Sequence, residues 1–452
     1  MQIDFDSLKS RYKLRISQAG LLMSMLGFFA LTACSPAQLE MINDVVEVSV
    51  MNDGQTKTEA GFTRVVNSNK IPSATKTINC SGIKKGQTIT VSGHTKLSAQ
   101  CDLTGKSVKF LLDTSNTSLD CQGAKLSQNS KDTNNASAIT IRPKTNKAIS
   151  NITVANCHVQ GYGHALHIRQ HTNPNSRYLK GVTSTRDNKV FAPYDINIIN
   201  VSSNGSKNSG IFVGDHSHNV HFSKLLVRAS GTVGLYFEFG TQHNRVEDSV
   251  FVDNGFRIFK PNREAIAIDS SAGNIITGNQ FIHNGAGGIL LYRNCFEHAN
   301  DKTRSNHFKR TQSSKNNIIK NNLFLDEPVG VWVAARQSRN LKGFGCGAYV
   351  ISDSATTSYH HDSAKDNQII NNRFVNADKS VVVEDDGTLI KDNDFSKAMG
   401  HPISIGSKIR EQTERGAVKN TKIIGNVFSA SKPISEQISI TKASQPLTQV
   451  IH

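Results

Sequence analysis

The sequence predicts an all-β fold, a right-handed parallel β-helix solenoid with Asn-ladder corners and three long loop insertions. Two observations predict it. The first is a phrase that recurs from about residue 150 onward: Asn274-Ile275-Ile276-Thr277-Gly278-Asn279-Gln280-Phe281, Asn317-Ile318-Ile319-Lys320-Asn321-Asn322-Leu323-Phe324 and Gln368-Ile369-Ile370-Asn371-Asn372-Arg373-Phe374, with weaker copies at 246–251, 390–395 and 423–428. The second is a short strand that follows most copies, as in Gly210-Ile211-Phe212-Val213, Gly234-Leu235-Tyr236-Phe237, Ala265-Ile266-Ala267-Ile268, Gly288-Ile289-Leu290-Leu291, Gly330-Val331-Trp332-Val333 and Ser380-Val381-Val382-Val383. From Ile211 to Leu235, Ile266 and Ile289 the steps are 24, 31 and 23 residues, one solenoid turn each with an insertion in the middle one.

Short β-branched strands between Asn/Gly corners cannot bury their apolar face alone, so like must stack on like. Asn279, Asn322, Asn372, Asn393 and Asn426 fall two residues before the recurring Phe or Val, where a stacked ladder satisfies backbone groups at a corner. A leucine-rich repeat is excluded by scarce Leu at the repeat positions, and a calcium-loaded nonapeptide solenoid by the missing Gly-Gly-x-Gly-x-Asp pattern. Three breaks, 172–193, 295–315 and 338–366, all follow the second strand type, so they project from one edge and wall a groove.

The chain has 452 residues, 37% hydrophobic and 19% charged, with 33 Gly and 10 Pro, which excludes a disordered, collagen-like or polytopic membrane protein. Its formal net charge is +16, spread along the chain, and this implies an anionic partner. Nucleic acid is disfavoured, because no basic-aromatic module appears.

Lys9, Arg11, Lys13 and Arg15 precede an apolar core from Ala19 to Leu31, too short to span a membrane as a mature helix, so residues 1–33 read as an export signal. Leu31-Thr32-Ala33-Cys34 resembles the lipobox of bacterial lipoproteins, which implies a lipid on Cys34. In that family Ser35 in place of Asp implies passage to the outer membrane, at its periplasmic or outward face. Residues 34–75 are then a tether and N-terminal cap, 76–432 the β-helix, and 433–452 a C-terminal tail. Without the signal the charge falls to +14, since 1–33 hold four basic and two acidic residues.

Seven cysteines less Cys34 leave six, an even number suited to an oxidising compartment. Cys80, Cys101, Cys121 and Cys157 sit in similar settings, as on successive turns, within disulfide reach of a neighbouring turn. Cys295 and Cys346 each belong to an insertion and are expected to tie the two loops together.

Strand alternation in the second strand type turns two columns outward: His167, Phe212, Tyr236, Ala267, Leu290, Trp332 and Val382, and beside them Arg169, Gly214, Glu238, Asp269, Tyr292, Ala334 and Glu384. Tyr236, Glu238, Asp269, Tyr292, Arg293, Trp332 and Arg336 then crowd one patch under the insertions. Rings beside carboxylates and guanidinium groups suit sugar binding, with His167, Arg169, Trp332 and Arg336 as the substrate-binding set. Glu238 stacked over Asp269 needs a proton, a cation or a basic partner from Lys260, Arg263 or His243. A Ca²⁺ held by Glu238 and Asp269 is the one cofactor expected. His216, His218 and His360-His361-Asp362 offer only sequence-local pairs and read as loop histidines.

Over residues 76–430 the repeat, the export signal and the basic balance resemble the parallel β-helix proteins that act on polysaccharides, most closely the exported lyases that trim biofilm exopolysaccharide. The resemblance implies β-elimination at a uronic acid of an acidic extracellular polysaccharide. By it, Arg293 or Arg263 holds the carboxylate, Lys260 or His243 is the base, and Tyr236 or Tyr292 protonates the leaving oxygen, with Glu238 and Asp269 holding Ca²⁺ or orienting the base. The same fold hosts hydrolases, epimerases and adhesins. A hydrolase would use Glu238 and Asp269 as its carboxyl pair; the Asn-Thr-Asp, paired-Asp and Gly-His-Gly set of polygalacturonase-like hydrolases is missing. A C5-epimerase shares the proton abstraction, and a non-catalytic matrix-binding protein would use the same groove.

Overall fold

The computed structural model describes residues 71–451 apart from 130, 131, 133, 134, 172–188, 258, 259, 298 and 300–308. The expected export signal, Cys34 and nearly all of the tether lie outside the described residues.

The chain winds as a parallel β-helix. Three all-parallel sheets of 13, 10 and 12 strands take one strand each from successive coils. One coil shows the order: Ile275–Thr277 joins the 13-stranded sheet (sheet 1), Gln280–Ile282 the 10-stranded sheet (sheet 2), and Ile289–Tyr292 the 12-stranded sheet (sheet 3). Sheets 1 and 2 meet inside the recurring phrase, and sheet 3 is the second strand type. Among the described residues antiparallel pairing occurs only in two hairpins, Phe256–Arg257 with Lys260–Pro261 and Val350–Asp353 with Ser358–His360.

The corner between sheets 1 and 2 explains the Asn/Gly spelling of the phrase. One residue per coil there is left-handed: Asp248, Gly278, Asn321, Asn371, Asp392 and Gly425 have φ between 48° and 68°. Gly has no Cβ to clash in that region, and Asn and Asp tolerate it. The next residue builds the ladder. Asn279 Nδ2 donates to Asn322 Oδ1 (3.1 Å), Asn322 to Asn372 (2.9 Å), Asn372 to Asn393 (3.0 Å) and Asn393 to Asn426 (2.9 Å). Each oxygen also accepts the backbone N–H of the preceding rung's Asn, as from Asn279 to Asn322 at 2.9 Å. The other two corners carry ladders that the sequence reading did not anticipate: Asn244, Asn274, Asn317 and Asn367 at the entry to sheet 1, and Asn254, Asn284 and Glu327 after sheet 2.

Inside, each coil places like on like. Phe251, Phe281, Phe324, Phe374, Phe395 and Phe428 stack with ring centroids 4.8–5.5 Å apart, close to the strand spacing of about 4.8 Å. Disulfides join Cys80 to Cys101 and Cys121 to Cys157 in the first coils, and Cys295 to Cys346 between two insertions. In a chain-entropy account each closed loop contributes about 3–4 kcal/mol.

The expected C-terminal tail is corrected. Ile438–Ile440 extends sheet 3 beside Ile403–Ile405, and Thr448–Ile451 extends sheet 1 beside Thr421–Ile424. The matched Ile-Ser-Ile triplets provide the alternation a strand needs, although this coil lacks the Asn/Gly corner phrase. A fourth excursion, 406–420, follows Ile403–Ile405 and carries the short helix Lys408–Glu411.

Two outcomes test the ladders. Asn322→Ala removes the acceptor for Asn279 and the donor to Ile276 O and Asn372 Oδ1, so it should cost about 2–4 kcal/mol in denaturant unfolding. Glu327 is 1% exposed, its Oε1 accepts from Asn284, and its Oε2 is buried without a hydrogen-bond partner among the described residues. Burial pushes its carboxyl well above the ordinary range. The folded state therefore keeps a proton that the unfolded chain releases above about pH 4.3, and stability falls as pH rises through that window. Glu327→Gln should remove the fall and raise stability at pH 8 by about 1–3 kcal/mol, with little change near pH 4, in pH-dependent thermal melts.

Candidate active site

Sheet 3 is the face on which chemistry-bearing side chains gather. Its pairing register matches the columns read from sequence: His167 lies beside Phe212, Phe212 beside Tyr236, Tyr236 beside Ala267, Ala267 beside Leu290, Leu290 beside Trp332, and Trp332 beside Val382. Asp269 pairs with Tyr292 one rung on. The insertions 172–193, 295–315 and 338–366 all leave from the exit end of sheet 3 strands, while the hairpin at 256–261 enters from the other end. Side chains from both ends lean over the face: Arg263, just after the hairpin, lies 5.4 Å from the Tyr236 ring centre, and Arg310, from an insertion, pairs with Glu238.

The centre is a network around Tyr236. Its hydroxyl donates to Asp269 Oδ2 at 2.9 Å. Asp269 is fully buried and also accepts from Ser270 Oγ (2.9 Å), Asn294 N (3.1 Å) and Asn294 Nδ2 (3.0 Å). Burial raises the Asp269 carboxyl above its ordinary range, with Arg310 pulling the other way. Burial and then the Asp269 charge push the half-buried Tyr236 phenol well above 10, so it stays protonated.

The two stacked carboxylates do have a basic partner, and it is none of the three expected. Arg310, 5% exposed at its side chain, donates to Glu238 Oε1 and acts electrostatically on Asp269 as well. Glu238 is held by a guanidinium group and Asp269 by four hydrogen-bond donors, so as arranged here the pair does not fit a hard cation that needs six to eight oxygens.

A second network lies beneath. Arg263 makes a two-point contact with Glu264, Nη2 to Oε1 at 3.0 Å and Nε to Oε2 at 3.1 Å, and also donates to Tyr292 Oη at 2.8 Å. Tyr292 Oη in turn donates to Glu264 Oε1 at 3.0 Å. Burial alone would raise Glu264, but the Arg263 charge outweighs it and holds the carboxyl below its usual range. Arg336 lies 4.7 Å over the Tyr292 ring.

Tyr292 and Arg336 are therefore corrected as groups that touch substrate. Tyr292 is 1% exposed and Arg336 3%; Tyr292 bridges Arg263 and Glu264, and Arg336 packs over the Tyr292 ring. Arg293 stands at the exit end of its strand, 3.5 Å over the Tyr349 ring and bonded to His361 O, away from Tyr236 Oη in its contacts. His243 is exposed at the corner leading to sheet 1, its ring against Gly273 of the next coil. The side chain of Lys260 lies outside the described residues. His167 packs edge-on against Phe212 at 5.0 Å, Arg169 lies near enough to His164 to lower its basicity, and Trp332 is half-buried against a small apolar cluster of Leu290 and Ala335.

Sequence reasoning missed Arg310, Glu264, Asn294 and Asp362. Arg310 belongs to an insertion without periodicity. Glu264 had a signal: a charged residue at the mouth of an otherwise apolar strand, next to Arg263, asks for a buried partner. Asp362, set aside with the loop histidines, accepts the backbone N–H groups of Arg293 (2.5 Å) and Arg336 (2.8 Å) and so pins the ends of two sheet 3 strands; burial raises its carboxyl to about 7.

A family profile described as periplasmic copper-binding protein (NosD) matches residues 255–432, under half of the chain. Copper would draw on His, Cys or Met ligands. In the matched segment Cys295 and Cys346 are joined, His283 is held by Asp253, and the His360 ring sits between Ala348 O and Ser358 Oγ. Among the described residues no group of three or more His, Cys, Asp or Glu side chains converges as a metal site, so they do not fit copper. No curated protein matches the chain. Among solved structures it is similar to an alginate lyase from a Paenibacillus species (11% identity, TM-score 0.39, 84% of this chain and 98% of that one). It is also similar to the catalytic domain of a GH87 α-1,3-glucanase (11%, 0.43, 84% and 62%) and to the A-module of an Azotobacter vinelandii mannuronan C-5 epimerase (12%, 0.39, 83% and 82%). These neighbours are polysaccharide-acting enzymes of three reaction types.

Removing the guanidinium from between the carboxylates tests the central network. Arg310→Gln should destabilise the protein by about 3–5 kcal/mol, and the double variant Glu238→Gln/Arg310→Gln should recover most of it, read by chemical denaturation of all three proteins.

Proposed function

We propose that this chain is an exported lipoprotein, anchored through Cys34 at the outer membrane, that cleaves an acidic extracellular polysaccharide by β-elimination. The observation that carries the reading is Tyr236: a half-buried phenol kept protonated by burial and by the Asp269 charge, beside the Arg263 guanidinium, on a face overhung from both ends. A proton donor next to a fixed cation is what elimination from a uronate requires, because the reaction builds charge on the carboxylate and on the leaving oxygen.

In this reading Arg263, 22% exposed at its side chain, takes the uronate carboxylate and stabilises the enolate-like charge. Glu238, 12% exposed, accepts the C5 proton. The C4–O bond breaks, a C4=C5 double bond forms, and Tyr236 passes its proton to the departing oxygen. The proton on Glu238 then returns to the phenolate and restores both groups. Arg263 and Arg310 supply the positive charge for which a Ca²⁺ was expected, so the reaction needs no divalent ion. The net charge of +14 that remains without residues 1–33 favours attraction of a polyanion.

The test is ultraviolet absorbance of the conjugated unsaturated uronate during incubation with a panel of acidic polysaccharides, with and without chelator. Absorbance should grow equally in both, and Tyr236→Phe should lower the rate by about 10²-fold or more while leaving polymer binding in place. Reducing ends without absorbance would make the enzyme a hydrolase. Uronate inversion without cleavage would make it an epimerase, and binding without product would leave a matrix-binding protein.

A further inference from the structure

The first coils hold a crevice apart from the Tyr236 network. It encloses about 330 Å³ and is lined by Lys85, Gly86, Ser107, Lys109, Gln128, Asp132, Ala136 and Tyr162. The lining is built rather than incidental. Tyr162, 1% exposed, forms the floor and is fixed by donating from Oη to Val108 O at 2.7 Å. On one wall Lys207 Nζ reaches Gln128 Oε1 at 2.9 Å and Asp132 O at 2.6 Å, and Ser107 Oγ donates to Asp132 Oδ2. The Lys85 and Lys109 ammonium groups, with Lys207, outnumber the single carboxylate of Asp132, which Ser107 engages.

What gives the crevice a meaning is its line to Tyr236. Two residues after Tyr162, the strand His164–Ile168 of sheet 3 begins, and a track of rings starts with it. His164 lies 5.3 Å from His167, His167 5.0 Å from Phe212, and Phe212 5.3 Å from Tyr236. Burial lowers the basicity of His164, whose Nδ1 faces Ser209 O at 2.9 Å, so at neutral pH this end of the track offers an uncharged ring. From the strand at Ser137–Ile141, which borders the crevice, to the strand of Tyr236 is three rungs, about 14 Å. A row of rings suits the apolar faces of successive sugar units, and a pocket of this volume with a basic rim suits one charged unit at the end of the row.

We propose that the Lys85–Lys109 crevice is a distal subsite that binds a carboxylate-bearing sugar residue of the same polymer chain whose cleaved unit lies at Tyr236. The proposal rests on the polysaccharide reading of sheet 3 but not on the reaction performed there. It makes binding depend on chain length: a polymer spanning both places gains from the crevice, and a fragment too short to span them does not.

Affinity electrophoresis of the full chain through gels containing alginate, a linear polyuronate, tests it, with short alginate oligomers as competitors. Lys85→Ala/Lys109→Ala should weaken alginate retardation about tenfold and leave oligomer competition unchanged. A control removes two lysines from sheet 1, Lys391→Ala/Lys422→Ala. Equal retardation of the crevice variant and the unaltered protein overturns the proposal. So does an equal loss in the control, which would reveal bulk charge, and so does an unaltered protein that alginate does not retard. Crevice-dependent binding without unsaturated product would sink the lyase reading and leave the subsite standing. Product formation with crevice-independent binding would do the reverse.

Discussion

Stacking between coils is the interaction on which everything else in this molecule depends. A single coil offers three strands of two to six residues, too short to bury an apolar face or to satisfy its own backbone. The next coil supplies both, through ladder hydrogen bonds and through identical side chains placed about 4.8 Å apart. The three corners repeat the solution with amides: Asn274, Asn279 and Asn284 of one coil each donate to the Asn or Glu directly beyond them. A buried amide can both donate and accept, so a column of them runs through the corners without stranding a polar group. Glu327 ends one such column: its Oε1 accepts from Asn284, while its Oε2 is buried without a partner among the described residues, and burial keeps the carboxyl protonated.

A scaffold stacked this strictly also makes outward positions predictable. If inward residues repeat from coil to coil, outward residues of sheet 3 must form straight columns, and aromatic and charged side chains distant in sequence come to share a face. That is how Tyr236 and Asp269, 33 residues apart, meet through one hydrogen bond. The columns set spacing but not chemistry. The chemistry follows from the loops at the strand ends, which bring Arg263 and Arg310 over the face and exclude water from it. In this drier setting burial keeps the Tyr236 phenol protonated, and the Arg310 guanidinium offsets the repulsion between Glu238 and Asp269.

The supporting residues form a second layer with its own logic. Glu264 and Tyr292 are buried and touch no solvent, yet they fix the Arg263 fork by a two-point contact and a phenol bridge. Asp362 holds two strand ends by their backbone amides. Such groups cost desolvation and return it as fixed geometry, which an electrostatic site needs more than it needs reach.

The solenoid, the strand register of sheet 3, the ladder Asn279–Asn322–Asn372–Asn393–Asn426 and the corner that bears the insertions were legible in the sequence, because a repeat writes local rules many times over. Each coil carries the same period-2 alternation, and the left-handed corner favours Gly, Asn and Asp, with Lys224 a departure in one coil. The final coil lacks that phrase, and 433–452 read as a tail for that reason. The pairing of charges was not legible. Nothing in the spacing of 295–315 points Arg310 at Glu238, and burial alone separates Tyr236, which reaches the groove, from Tyr292, which lies two rungs and one column away. Sequence periodicity determines where a side chain starts; which side chain it meets, and whether water is there, depends on aperiodic loops that only the folded chain brings together.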